Sequence, residues 1–344
     1  MSIFIGKMNM IVIKEKNKMT NIIPEKLKKG DKVMILAPAR GLKIIGQDVR
    51  EIATNRLKSL GLEVVFAPNT TDENWDYMGS TSIEKRVEDI HTAFKDKSIK
   101  AIFTVIGGFN SNQLLKYLDY DLIKQNPKIF CGFSDITAVL NAIRAKTNIV
   151  TYYGPHFSTL GMKLGCDYTF EHMIKMLMEN GVDDVEPSQI WSDDLWFLDQ
   201  DKRDFEANEG YWIINNGKAE GKIEGGNLCT YNLLLGTEFR HHFTEDTILF
   251  IEDTEASPLQ DFERDLQALI HQDDFKHVKG LVIGRFQKGS KITKEGLEYI
   301  IHTKEELKDM PVIANVDFGH TSPILTIPLG GQAIIKDGKI TLKA

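Results

Sequence analysis

From residue 31 onward, short runs of β-branched and apolar residues alternate with amphipathic stretches whose apolar positions recur with the period of an α-helix. That alternation predicts a parallel sheet covered by helices. VMILA (33–37) reads as a first strand. Val49, Ile52, Ala53 and Leu57 then share one helical face behind Asp48 as N-cap, and Gly61 supplies a left-handed stop. VVFAP follows as a strand. Ser82 opens a helix with Ile83, Val87, Ile90 and Phe94 on one side, which feeds the strand IKAIFTVI (99–106). Next come Gly107-Gly108, a helix through Leu118, the strand KIFCGF (128–133), a helix from Asp135 to Lys146 and the strand NIVTYYG.

After a helix near 169–180 the texture turns acidic and aromatic, in QIWSDDLWFLDQDKRDFEANEGYWIINNGKAEGKIEGG, which reads as irregular loop followed by strands. A domain boundary is therefore expected near 185, dividing an α/β domain over 23–185 from a second over 186–344. The second half offers TILFIED (247–253), a helix over 259–271, VKGLVIGRF, a helix at 293–307, PVIANVDFG and a closing hairpin across Lys336-Asp337-Gly338-Lys339. Residues 1–22 read as a tail or an over-long start, with Met19 an alternative initiator: Lys7 and Asn9 interrupt the apolar stretch and no small-residue cleavage site follows.

At 344 residues, with 42% apolar and 26% charged positions, the chain has the profile of a soluble globular protein of two domains. No apolar run reaches the roughly 20 residues that cross a bilayer, so no membrane partner is expected. The net charge of −7 comes with no basic cluster, which argues against a nucleic-acid partner. Cys131, Cys166 and Cys229 lack any C-x-x-C spacing, so neither a disulfide framework nor a thiolate zinc site is expected, and a reducing compartment fits. The neighbours His241 and His242 point in different directions on a helix or a strand and read as a surface pair, leaving no metal site.

Candidate chemistry begins at Gly132-Phe133-Ser134-Asp135-Ile136, where a buried strand gives way to a helix. Such a turn pushes a serine out of the sheet edge above the free N–H groups of a helix start, the logic of a nucleophile elbow. Ile136 stands where the second glycine of G-x-S-x-G would be, and a plain helix N-cap fits the same pentapeptide. Gly107-Gly108 ends the preceding strand and is either a backbone that lets N–H groups approach an oxyanion or a simple tight turn. Glu252 and His320 also fall at predicted strand ends, where α/β folds gather their sites.

The segments IGGFNSNQLL (106–115), GFSDIT (132–137), EGGNL (224–228), LFIEDTE (249–255), GLVIGRF (280–286) and DFGHTSPILTIPLG (317–330) resemble, in order and spacing, the family of LD-carboxypeptidases and microcin C immunity peptidases. The likeness covers nearly the whole chain after about residue 22. It implies a serine peptidase or amidase with Ser134 as nucleophile, His320 as general base and Glu252 as the acid that orients it. The oxyanion hole would be the backbone N–H groups of Gly108 and Asp135. The implied fold is an N-terminal doubly wound α/β domain with a smaller β-rich C-terminal domain, usually in a cytoplasmic homodimer, with no metal or organic cofactor.

Murein-recycling members tend to carry Arg just before the Gly-Gly, whereas this chain has Ile106, followed by Asn110-Ser111-Asn112. That variant resembles the microcin-immunity branch, which cleaves an aminoacyl or peptidyl group from a nucleotide-like moiety. Asn110, Trp191 and Trp196 then become candidate substrate contacts, since a Trp in WSDDLWFLDQ (191–200) offers a surface for stacking a purine. Packing of Trp191, Trp196 and Trp212 within the second domain explains the same residues. The alternatives in function are a murein tetrapeptide LD-carboxypeptidase and, in another class, a two-lobed protein that only binds a small molecule.

Overall fold

The computed structural model describes residues 21–344, so the expected tail lies outside the described residues except at its last two positions. Those two are tied into the fold. Ile22 bridges Ile149, and Asn21 accepts a hydrogen bond from the Arg144 guanidinium.

Five parallel strands, β1 (Lys32–Leu36), β2 (Glu63–Phe66), β3 (Ile99–Thr104), β4 (Ile129–Gly132) and β5 (Thr151–Tyr153), form the first sheet in the order 2-1-3-4-5. Helices α1 (Gln47–Ser59), α2 (Ile83–Lys95), α3 (Tyr120–Gln125) and α4 (Thr137–Thr147) connect them, and α5 (Asp167–Leu177) follows. Strands covered on both faces need apolar side chains throughout, which is why Val33, Ile35 and Leu36 in β1 and Ala101, Ile102 and Phe103 in β3 are fully buried. Ser82 caps α2 as expected, accepting from the Lys85 N–H. Asp48 does not cap α1. Gly46 holds that position and Asp48 sits in the first turn, where its charge still favours the helix N-terminus.

Seven further strands precede the last four: β6 (Val182–Val185), β7 (Ile190–Trp191), β8 (Glu206–Ala207), β9 (Trp212–Asn215), β10 (Lys218–Asn227), β11 (Thr247–Glu252) and β12 (Val278–Gly284). Then come β13 (Val312–Val316), β14 (Ile327–Leu329), β15 (Gln332–Lys336) and β16 (Lys339–Lys343), with α6 (Leu228–Asn232), α7 (Leu259–Ile270) and α8 (Lys294–His302) between them. The second sheet has the order 6-16-15-10-11-12-13-9, parallel from β10 to β13 and antiparallel at both flanks. Thus the N-terminal unit is built on a parallel sheet and the C-terminal unit is rich in β-structure. The closing hairpin turns through Asp337 and Gly338, both at positive φ, as a tight two-residue turn demands.

The two sheets exchange strands. β6 pairs with β16 in the second sheet, while β14 returns to the first and lies antiparallel to β5. A short β7–β8 ribbon carries the acidic, aromatic stretch.

Candidate active site

β4 ends at Gly132, and two residues later Ser134 takes φ +60°, a left-handed conformation that costs a residue with a Cβ roughly 1–2 kcal/mol. The strained turn lifts the hydroxyl off the sheet edge, and Ile136 then leads into α4. Gly107 faces it so closely that a Cβ there would lie 2.9 Å from the Ser134 Cβ and 3.0 Å from its Oγ. Ser111 locks the two loops together: its N–H donates to the Asp135 carboxylate (3.0 Å) and its hydroxyl to the Asp135 carbonyl (2.7 Å). Burial pushes the Asp135 carboxyl up, against those bonds. Among the described residues, none accepts a hydrogen bond from the N–H of Gly108 or Asp135.

Glu252 ends β11 and is fully buried. Its Oε2 accepts from His320 Nδ1 at 2.7 Å, and its Oε1 accepts from the Tyr153 hydroxyl (2.6 Å) and Asn227 Nδ2 (3.1 Å). The charged carboxylate fixes Nδ1 as the donor, so Nε2 is free to accept from the Ser134 hydroxyl at 2.9 Å. One unbroken chain of hydrogen bonds therefore runs from Ser134 through His320 to Glu252. His320 is not a strand end: β13 stops at Val316, and the loop beyond it passes through Gly319, at φ +107°, where a Cβ would lie 2.5 Å from Glu252 Oε2. Only glycine lets the loop bring the imidazole onto the acid.

The charges fit that arrangement. Burial lowers the His320 pKa, but the Glu252 charge and hydrogen bond outweigh it and hold the imidazole above its ordinary value. Burial raises Glu252, and the charge and bond from His320, with bonds from Tyr153 and Asn227, bring it below the usual range. Asp253 turns away to Asn227, Cys229 and Thr254 instead, and burial next to Glu252 raises its pKa.

Two of these partners escaped the sequence reading. Tyr153 both accepts the Ser134 N–H (3.3 Å) and donates to Glu252, tying the elbow to the acid. Asn227 sits in the EGGNL segment, its N–H bonded to the Thr137 hydroxyl of α4, so it joins the two units beside the site. Their signals were a tyrosine at a strand end and an asparagine after paired glycines.

Other expected residues fall elsewhere. Asn110 is 5% exposed and its amide is committed to Asp76, Ser80 and Arg86, which makes it a structural cross-link rather than a free contact for a ligand. His241 is not a surface residue: it is mostly buried beside Glu224 (3.3 Å), while His242 faces outward. Trp191 in β7 lies under Arg285 and Lys288, at 5.1 and 5.3 Å from ring centre to cation. Trp196 is half-buried against the core of the first sheet and edge-on to the exposed Phe197, whereas Trp212 packs in the second. The Trp191–Trp196 stretch meets the histidine loop through Ser192 and Ser322, which exchange backbone hydrogen bonds of 2.8 and 2.7 Å. No cluster able to hold a metal ion occurs among the described residues.

Residues 33–154 match the model of the LD-carboxypeptidase N-terminal domain, and residues 220–335 that of the LD-carboxypeptidase C-terminal domain. The chain belongs to the LD-carboxypeptidase family. The "Putative carboxypeptidase YocD" of Bacillus subtilis (strain 168) is 51% identical over 90% of this chain and 95% of its own length. The microcin C7 self-immunity protein MccF of Escherichia coli is 33% identical over 76% of this chain and 78% of its own. A crystal structure of an MccF-like protein from Bacillus anthracis superposes with a TM-score of 0.91 at 47% identity, covering 94% of this chain and 99% of that one. MccF itself has been solved in complex with aspartyl sulfamoyl adenosine and, as a tryptophan-to-phenylalanine variant, with adenosine monophosphate. This chain is therefore a hydrolase of the carboxypeptidase type.

Proposed function

We propose that Ser134, His320 and Glu252 form the catalytic triad of an amidase acting on a peptidyl- or aminoacyl-nucleotide. The observation that carries the triad is the hydrogen-bonded run Ser134 Oγ, His320 Nε2, His320 Nδ1, Glu252 Oε2, with the serine held at positive φ. Ser134 Oγ attacks the acyl carbonyl while His320 Nε2 takes its proton. His320 returns that proton to the leaving nitrogen as the C–N bond breaks, and water, deprotonated by the same imidazole, releases the acyl group. Glu252 stabilises the imidazolium throughout. The unbonded N–H groups of Gly108 and Asp135 serve as the oxyanion hole.

The nucleotide substrate rests on three features: Ile106 before the Gly-Gly, the aromatic loop bonded to the histidine loop, and likeness to MccF, which has been solved with aminoacyl sulfamoyl nucleosides. The second reading, removal of a terminal residue from murein tetrapeptide, is favoured by the 51% identity to a relative named as a carboxypeptidase. A homodimer and a cytoplasmic location belong to the same proposal, and light scattering tests the first. Among the described residues no helix is long and apolar enough to cross a membrane.

Purified enzyme offered an aminoacyl sulfamoyl adenosine and murein tetrapeptide side by side is expected to cleave the first faster. Ser134→Ala is expected to lower kcat on the order of 10⁶-fold while leaving the melting curve unchanged. Loss of fluorophosphonate labelling in that variant accompanies it. A wild-type protein that takes no label would be a binding protein instead.

A further inference from the structure

The loop after β1 brings Arg40 against the glycine pair. Its backbone N–H and its Nε both reach the Gly107 carbonyl at 3.4 Å, and a Cβ at Gly108 would lie 3.4 Å from the Arg40 Cγ. The guanidinium lies over the exposed Phe109 ring at 5.6 Å. A Cβ at Gly107 would in turn lie 3.0 Å from the Ser134 hydroxyl, so the glycine that accepts from Arg40 also faces the nucleophile. In the 2-1-3-4-5 sheet the loops after β1 and β3 diverge where the strand order reverses, the place where such folds take ligands.

What distinguishes Arg40 is that it stands beside the glycine pair without a described counter-ion, whereas Arg50 and Arg56, which also form no ion pair, are turned to the backbone carbonyls of Ile45 and of Leu160 and Met162. Arg144 pairs with Glu224, Arg203 with Asp194, Arg240 with Asp274 and Arg285 with Asp317, while buried Arg86 is bonded to Asn110 and Gln113. Arg40 forms no ion pair with a described carboxylate. A planar guanidinium held at a ligand cleft without a protein anion is suited to bidentate binding of phosphate, sulfamate or carboxylate. The absence of Arg at position 106 therefore does not leave the site without a cation.

We infer that Arg40 binds an anionic group lying close to the scissile amide of the substrate, making it a specificity residue for phosphoryl, sulfamoyl or carboxylate compounds. This deepens the reading of a hydrolase that attacks through Ser134 and rests on it. The two sources of the anion, a nucleotide linkage and a free peptide carboxylate, are told apart by paired ligands.

Calorimetric titration in the Ser134→Ala background, where nothing turns over, would compare adenosine monophosphate with adenosine and murein tetrapeptide with its C-terminal amide. The anion of one pair should bind about ten- to a hundredfold more tightly than its neutral partner. Arg40→Gln should abolish that gap without changing the neutral ligand's affinity, and Arg40→Lys should keep part of it. A gap only in the nucleotide pair makes the anion phosphoryl, and a gap only in the peptide pair makes it carboxylate and ends the nucleotide reading. If neither pair shows a gap, or Arg40→Gln weakens charged and neutral ligands alike, the inference fails while the triad stands. An unchanged melting temperature in both Arg40 variants separates lost recognition from lost fold.

Discussion

In the proposed triad, strain at Ser134, burial at Glu252 and the polarised ring of His320 act on one proton. Because Glu252 holds the imidazolium above its ordinary pKa, the free enzyme gains its base only as pH rises past that value. Glu252→Gln removes the charge but keeps the shape, so burial then dominates and the acid limb of kcat/KM moves to lower pH as the plateau falls. A pH–rate profile of the two proteins checks this, and an unmoved limb would mean that another group sets the His320 pKa. The same shifts act on stability. His320, raised, stabilises the fold below its unfolded value of about 6.5 and loses that contribution as pH rises through the folded value. Glu252, lowered, stabilises above its unfolded value of about 4.5 and loses that contribution as pH falls. Their joint contribution is therefore fullest between about 4.5 and 6.5.

Among the elements, the aromatic loop carries the substrate prediction. Trp191 is occupied on its face by Arg285 and Lys288, whereas Trp196 stands among Leu195, Phe197 and Leu198, all more than half exposed. Trp196→Ala is expected to raise KM for an aminoacyl sulfamoyl adenosine by about 5- to 150-fold, the worth of one stacked base, and Trp191→Ala to raise it less. Equal KM values for both variants and wild type would remove the loop from recognition. The sequence makes Ser134 and Glu252 legible as candidates because the first follows a buried strand and the second ends one. The histidine loop reads less well, since the reach of His320 beyond β13 depends on Gly319 fitting against Glu252, a contact between distant segments. The same limit hides Tyr153 and turns Asn110 from an expected contact into a cross-link: pattern shows that a polar residue is present but not what it faces. The membership of β6 and β14 in the opposite sheets has no local mark at all, because strand pairing across such separations leaves the period of each strand unchanged.

At the scale of the molecule, Arg144 of α4 reaches Glu224 of β10 at 2.7 Å, with both side chains almost wholly buried, and Asn141 of the same helix donates to the Gly225 carbonyl. Arg144→Met leaves the Glu224 charge buried without its partner and is expected to destabilise by about 3–5 kcal/mol, read as a lower melting temperature. The double variant with Glu224→Leu should regain much of that loss, and a double variant no better than the single one would show the two residues to be uncoupled.

The return of β14 to the first sheet also sets an order of events during synthesis. Tyr153, which closes the parallel run, leaves the ribosome long before Ile327, and at about 5–20 residues per second the edge beside β5 waits roughly 10–35 seconds for its last strand. His320 emerges in that same final stretch. With the proposed triad, a nascent chain displays its serine elbow early but lacks the histidine that would arm it, so activity is expected only when translation is nearly done.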